Sequence, residues 1–258
     1  MATIILIHGG LHGGWCWEKL VPRLEALGHH VSAPDLPGMG SDPTPLHEVS
    51  LASWARYTAD MARAAVEPAL LVGHSRGGIV ISEAAEIASN AVLGLVYVTA
   101  LLIPRGVSLF SAMSIDKVEH IPGVTVSDDL VSMSLDPDLA RGGFYHRCSA
   151  ADIEQALARI GPEPIRPNAT QLSVTEERWG QLPRAYVECS DDRTLTLDFQ
   201  RGMHRVLPCD PVVTMDSDHS PFLSGPGELA GHLDAIAKNF EHRRRRRSTA
   251  DRADAMKT

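Results

Sequence analysis

The chain has 258 residues, 44% hydrophobic and 22% charged, a composition that suits one large α/β domain or one domain carrying an inserted segment. Its 24 basic and 32 acidic residues give a net charge of -8, which excludes a body built to attract nucleic acid. Four cysteines (Cys16, Cys148, Cys189 and Cys209) lie far apart with no CxxC pair, which argues against a disulfide scaffold or metal site and for reduced thiols in the cytoplasm.

In chain order, residues 2–8 form a continuous apolar run that ends at glycines, the mark of a strand buried on both faces. The run lacks the basic start of a signal peptide, and no stretch reaches the roughly 18 apolar residues of a membrane span. Trp17, Leu20, Leu24 and Leu27 recur at helical spacing before a stop at Gly28. His30 to Ala33 reads as a short strand, and residues 34–40 as a loop dense in Pro and Gly. A helix over 51–66, a buried strand over 69–72, a helix over 79–88 and a strand over 92–101 follow.

The strand–helix rhythm implies a parallel sheet covered by helices. It breaks between 102 and 182, where Pro, Asp and Ser cluster, one helix-like patch stands at 150–160 and no strong strand run occurs. That segment reads as a helical cap of residues 102–182 inserted into a core of 1–101 and 183–242. The rhythm resumes with a strand at 185–189, a helix near 198–206, a strand at 211–215 and a helix at 226–240. Arg243 to Arg247 and the polar stretch to Thr258 read as a disordered, Arg-rich extension of the last helix.

Gly73-His74-Ser75-Arg76-Gly77 matches the G-x-S-x-G nucleophile elbow, and its place between a buried strand and a helix carries more weight than the pattern. Such a serine projects from a tight turn at a helix N-terminus, where free amides favour negative charge. An oxyanion needs two amide donors. The amide of Arg76 is one, and the His8-Gly9-Gly10 loop after the first strand supplies the other, assigned to Gly10. Gly13 and Gly14 are equally well read as turn residues.

A serine nucleophile needs a base, and the fold's chain order is Ser, acid, His. Of twelve histidines, His219 alone follows the last strand run and precedes the final helix. His204 and His242 read as surface residues, and His29, His30, His47, His120 and His146 have no comparable placement. The acid belongs after the strand ending at Cys189, where Asp191 and Asp192 stand side by side. Periodicity leaves these two open; Asp218, adjacent to the base, faces it poorly.

Three stretches carry a family resemblance: residues 7–15 (IHGGLHGGW), 24–29 (LEALGH) and 71–75 (LVGHS). So do 145–152 (YHRCSAAD), 186–192 (YVECSDD) with Phe199-Gln200, and Asp218-His219. In these the chain resembles the α/β-hydrolases that include plant methylesterases, the salicylate-binding esterase, the hydroxynitrile lyases and bacterial esterases such as pyrethroid hydrolases. The resemblance implies an α/β-hydrolase fold, a Ser-His-Asp esterase acting through an acyl-enzyme, and Asp192 as the acid. The lyase branch carries a threonine where this chain has Gly9 and a lysine where it has Ser220, so hydrolysis is favoured over the hydroxynitrile lyase reading. Arg76 stands where relatives often carry an apolar residue or cysteine. A ligand receptor without turnover is the alternative from another class.

Gly9, Trp15, Leu101 and Phe222 are the candidate pocket residues, although the last three read more readily as plain core. The expected substrate is a small to medium hydrophobic or aromatic ester, with a xenobiotic ester such as a pyrethroid included. No cofactor, metal, nucleic acid or membrane is expected, and a homodimer is allowed.

Overall fold

The computed structural model describes residues 1–255, with side chains to Arg246. Its centre is a six-stranded sheet in which every pairing is parallel. The strands are β1 (Thr3–Ile7), β2 (His30–Ser32), β3 (Ala69–Ser75), β4 (Val92–Ala100), β8 (Arg184–Cys189) and β9 (Val212–Met215), in the order β2-β1-β3-β4-β8-β9. The chain winds outward from β1 to β2 and then returns to lay β3 on the other side of β1. This reversal opens a crevice at the carboxyl ends of β1 and β3, where such sheets hold their ligands.

The period of two along each strand divides the core between the two faces. Ile5, Ile7, Leu71, Leu95 and Tyr97 face α2 (Leu51–Ala64) and α3 (Gly77–Ala88), whose Trp54, Ile79 and Ala84 are buried against them. Ile4, Leu6, Leu70, Val72, Val96 and Val98 pack on the other side with Leu24 of α1 (Val21–Ala26) and Leu229, Leu233 and Phe240 of α10 (Pro226–Ala255). The helical spacing after Trp15 resolves into a single turn at Gly14–Trp17 and the short α1, because Pro22 opens a new helix at its first turn.

Between β4 and β8 the chain builds more than the helices expected of it. A three-stranded antiparallel sheet of β5 (Val124–Val126), β6 (Ser132–Leu135) and β7 (Glu163–Pro164) accompanies the short helices α4 (Leu109–Ala112), α5 (Pro137–Phe144), α6 (Ala150–Leu157) and α7 (Ile165–Ala169). These strands have two to four residues each, too few for periodicity to reveal. Ion pairs tie the segment to the sheet's own loops: Lys19 with Asp152 at 2.6 Å, Arg159 with Glu18 at 2.6 Å, and Arg147 with Asp216.

Two further elements complete the core, α8 (Leu197–Val206) after β8 and α9 (Pro221–Ser224) before α10. The arginines from 243 onward continue α10 instead of leaving the helix. Arginine is a good helix former, and Arg243 reaches Asp210 at 2.6 Å and Arg244 reaches Glu67 at 3.1 Å. Residues 256–258 of the expected disordered tail lie outside the described residues. Among the described residues no helix is long and apolar enough to cross a membrane.

At the join of β3 and α3, a β-carbon on Gly77 would lie 2.6 Å from the carbonyl oxygen of Ile7, at the end of β1, and 2.9 Å from that of the next residue, His8. Gly77→Ala must therefore push β1 away from the turn, a strain of about 2–3 kcal/mol that lowers the melting temperature by about 5–10 °C. A thermal melt indistinguishable from wild type would show that this contact does not constrain the turn.

Candidate active site

Ser75 ends β3 with φ of +51°, a left-handed conformation unusual for a residue with a side chain, and α3 begins two residues later. The turn closes this tightly because a β-carbon on Gly73 would sit 2.7 Å from the backbone of Gly77. The serine hydroxyl thus leaves the sheet at its carboxyl edge, beside the N-terminus of α3. Leu11 (φ +64°) and Thr99 (φ +34°) share the left-handed region, and both flank the same site.

His219 stands in the loop after β9 with its Nε2 3.0 Å from Ser75 Oγ and its Nδ1 2.6 Å from Asp192 Oδ2. A carboxylate oxygen can only accept, so Nδ1 carries the proton and Nε2 is left to accept from the serine hydroxyl. Asp192 is itself saturated. Thr99 Oγ1 donates to Oδ2, and the amides of Thr194 and Leu195 donate to Oδ1 at 2.7 and 2.8 Å. Burial works to raise the Asp192 carboxyl, but the facing His219 and these hydrogen bonds outweigh it and hold it below the usual aspartate value.

The two neighbouring aspartates face elsewhere. Asp191 is exposed and lies 3.1 Å from His146. Asp218 is buried and accepts from the amides of Arg147 and Ser220 at 2.9 and 3.1 Å and from Ser224 Oγ at 2.8 Å. Of the histidines set aside by position, His204 sits on α8 against Glu188 at 2.8 Å.

Three buried histidines that sequence position did not single out frame the loop after β1. The amide of Leu36 donates to His8 Nε2 at 3.2 Å, so His8 Nδ1 donates to the Gly9 carbonyl at 2.9 Å. His12 Nδ1 donates to the Gly10 carbonyl at 2.6 Å while its Nε2 accepts from Tyr145 at 2.7 Å. His74 Nε2 donates to the His219 carbonyl at 2.7 Å. Burial lowers the pKa of all three, to about 3 for His8, about 4 for His12 and well below the usual value for His74. Their repetition in the HGGLHGG stretch is the one signal that could have marked the first two.

A cavity of about 240 Å³ opens beside Ser75 and His219, and Gly10, Arg76 and His12 line it. Its walls are apolar, with Leu109, Phe110, Met113, Ile121, Met133 and Phe144 all supplied by the segment between β4 and β8. The four pocket candidates take other places. Phe222 is fully buried against His74 and Trp17, and Leu101 is buried with its amide bonded to the Ser75 carbonyl at 3.0 Å. Trp15 stacks on the ring of His12 and under Arg159, and Gly9 is pressed against His74. Each follows from the sheet's geometry, which leaves the cavity wall to the inserted segment.

That segment also contributes a residue with no sequence signal. Glu163, one glutamate between two prolines on β7, is fully buried and pairs with Arg76 Nε at 2.9 Å. It also accepts from the Leu11 amide at 2.9 Å and from Asn168 Nδ2 at 3.1 Å. Arg76 in turn lies over the Trp54 ring at 4.1 Å and donates from Nη2 to the Gly9 carbonyl at 2.9 Å.

A sequence model of the alpha/beta hydrolase family matches residues 4–232. The chain belongs to that family. It is 31% identical to methylesterase 7 of Arabidopsis thaliana, over 92% of this chain and 96% of the relative. It is also 31% identical to the alpha-hydroxynitrile lyase of the same plant, over 92% of this chain and 97% of the relative. Among solved structures it is similar to a pyrethroid hydrolase from Sphingobium faniae JZ-2, with a TM-score of 0.81, 30% identity, and coverage of 92% of this chain and 97% of that one.

The buried neutral histidines make stability depend on pH in a defined direction. On unfolding each regains the ordinary value of about 6.5 and binds a proton that the fold excludes, so stability is lost as pH falls from there towards 4. The slope is up to about 1.4 kcal/mol per pH unit for each such histidine. His12→Asn keeps a donor for the Gly10 carbonyl and removes one titrating group, and denaturant unfolding between pH 6.5 and 4 should show a shallower loss than wild type. An unchanged slope would contradict the burial of a neutral His12.

Proposed function

We propose that the chain is a serine carboxylesterase in which Ser75 is the nucleophile, His219 the general base and Asp192 the residue that orients it. The observation that carries this reading is the continuous relay from Ser75 Oγ through His219 to Asp192, at 3.0 and 2.6 Å, opening onto an apolar cavity. His219 takes the hydroxyl proton as the serine oxygen attacks the ester carbonyl, and the amides of Gly10 and Arg76 hold the oxyanion. His219 then returns the proton to the departing alcohol. Water repeats the sequence on the acyl-enzyme and releases the acid, and no metal or organic cofactor takes part.

The segment 102–182 acts as a cap over this site, and its apolar side chains select the substrate. A cavity of about 240 Å³ suits an ester of small to medium size with a hydrophobic or aromatic group. Larger xenobiotic esters, the class named for the Sphingobium relative, require the cap to give way. The four free cysteines, two of them buried, fit a reducing compartment and so the cytoplasm.

The lyase relative is as similar in sequence as the esterases, so particular residues must decide. A β-carbon at Gly9 would come within 2.7 Å of His74 Nδ1 and 3.0 Å of Ser75 Cβ, so the position resists the threonine that the resemblance implies for the lyase branch. Ser220 follows the histidine in place of their lysine, and its buried hydroxyl carries no charge to offset a departing cyanide.

Hydrolysis of nitrophenyl acetate and butyrate tests the reading. Wild type should turn over both, Ser75→Ala should lose at least about 10³-fold in kcat, and Asp192→Asn should lose a comparable factor by releasing the wrong imidazole tautomer. Wild-type inactivity towards a broad panel of esters would support a receptor without turnover, and full activity of Ser75→Ala would remove the serine from the mechanism.

A further inference from the structure

The loop that presents Gly10 is gripped on both sides of its α-carbon. In the peptide unit before it, the Gly9 carbonyl accepts from Arg76 Nη2 and from His8 Nδ1, each at 2.9 Å. In the unit after it, the Gly10 carbonyl accepts from His12 Nδ1 at 2.6 Å and the Leu11 amide donates to Glu163 Oε2 at 2.9 Å. Glycine has no side chain to limit its dihedrals, so these external bonds are what hold the direction of its N–H.

We propose that the buried Arg76–Glu163 pair is a positioning device that aims the Gly10 amide into the oxyanion site and thereby couples the inserted segment to the rate of the chemical step. The inference rests on the proposed role of Gly10 as an oxyanion donor. In a trans peptide the carbonyl and the following N–H point in opposite directions. Fixing the Gly9 oxygen on the Arg76 guanidinium therefore directs the Gly10 N–H to the other side. One residue thus offers its own backbone amide as the first donor and orients the second through its side chain.

Glu163 completes the device. It holds the Arg76 Nε at 2.9 Å and the Leu11 amide at 2.9 Å, with Asn168 at 3.1 Å behind it. Leu11 is kept in a left-handed conformation (φ +64°) that it would not adopt unaided, and the Glu163 contact falls on its amide. Both members of the pair are almost fully buried, so each depends on the other and on its protein hydrogen bonds. A guanidinium is needed because three directions must be served at once: Glu163, the Gly9 carbonyl and the Trp54 ring. A pair kept only for stability has no need to contact two consecutive peptide units of a glycine loop.

Removing one partner strands a buried charge, whereas removing both together is tolerated in many folds. The informative protein is therefore the double variant Arg76→Met/Glu163→Leu, which keeps the Arg76 backbone amide. Glu163→Gln, which keeps the shape of the side chain, serves as a second variant. Each is assayed for melting temperature, for kcat and KM on nitrophenyl butyrate, and for inhibition by an alkyl trifluoromethyl ketone. That ketone adds the Ser75 oxygen to its carbonyl carbon, passes the serine proton to His219 and leaves its oxygen as an anion in the same site.

The expected result for the double variant is a melting temperature close to wild type and KM within about threefold. Its kcat should fall about ten- to a hundredfold, with a parallel loss in ketone affinity, since losing an oxyanion donor outright costs about 10²–10³. Glu163→Gln should lose less in the same two quantities, and Arg76→Lys should recover little because an ammonium cannot serve both oxygens in one plane. Values of kcat and ketone affinity within twofold of wild type in both Glu163→Gln and the double variant would overturn the proposal. A wild type that neither hydrolyses the ester nor binds the ketone would instead overturn the esterase reading beneath it.

Discussion

The site depends on how sharply β3 turns into α3. Ser75 is held at φ +51° because Gly73 and Gly77 approach each other to within a distance that no side chain would survive, and Gly77 is pressed on the last carbonyls of β1. That closeness brings the serine under the loop leaving β1, and the reversal of strand order between β2 and β3 keeps the space above it clear of crossing chain. A strained turn of this kind persists only where its surroundings over-determine it. Here they do so with glycines, the buried central strands β3 and β4 and the N-terminus of α3.

Around this turn the polar groups are arranged so that no buried proton is ambiguous. Asp192 has four donors and can only accept, so the tautomer of His219 follows. His8, His12 and His74 are neutral, and each donates to a carbonyl of the loops that frame the site. The fold accepts the pH sensitivity of three buried imidazoles in return for rigid loops. Arg76 and Glu163 extend this network into the inserted segment, so the part of the chain that shapes the cavity also touches the loop after β1.

Most of the sheet and the Ser75–His219 pairing were legible in the sequence, because each rests on a local rule. Apolar runs of four or more residues mark the buried strands, and the elbow needs its glycines at fixed offsets. Asp192 was separated from Asp191 only by resemblance. In the structure the distinction is one of facing, with Asp192 turned in to Thr99 and His219 and Asp191 turned out to His146. Thr99 carries no signal of its own in the sequence, because its bond to Asp192 spans 93 positions and has no local signature. Glu163 was invisible for the same reason, as it meets Arg76 across 87 positions from a strand of two residues. The apolar wall of the cavity comes from the irregular segment, while Leu101 and Phe222 fill the core beneath and Trp15 packs against His12 and Arg159.

The central claim, that Ser75 attacks a carboxylic ester and carries its acyl group, is tested most directly by trapping the intermediate. Wild-type protein mixed with nitrophenyl butyrate and quenched in acid within the first turnover should gain the mass of one butyryl group. Peptide mapping should place that group on the fragment containing Ser75, and Ser75→Ala should gain nothing. Turnover without any acylated protein, or acylation at another residue that tracks the burst of nitrophenol, would contradict the account.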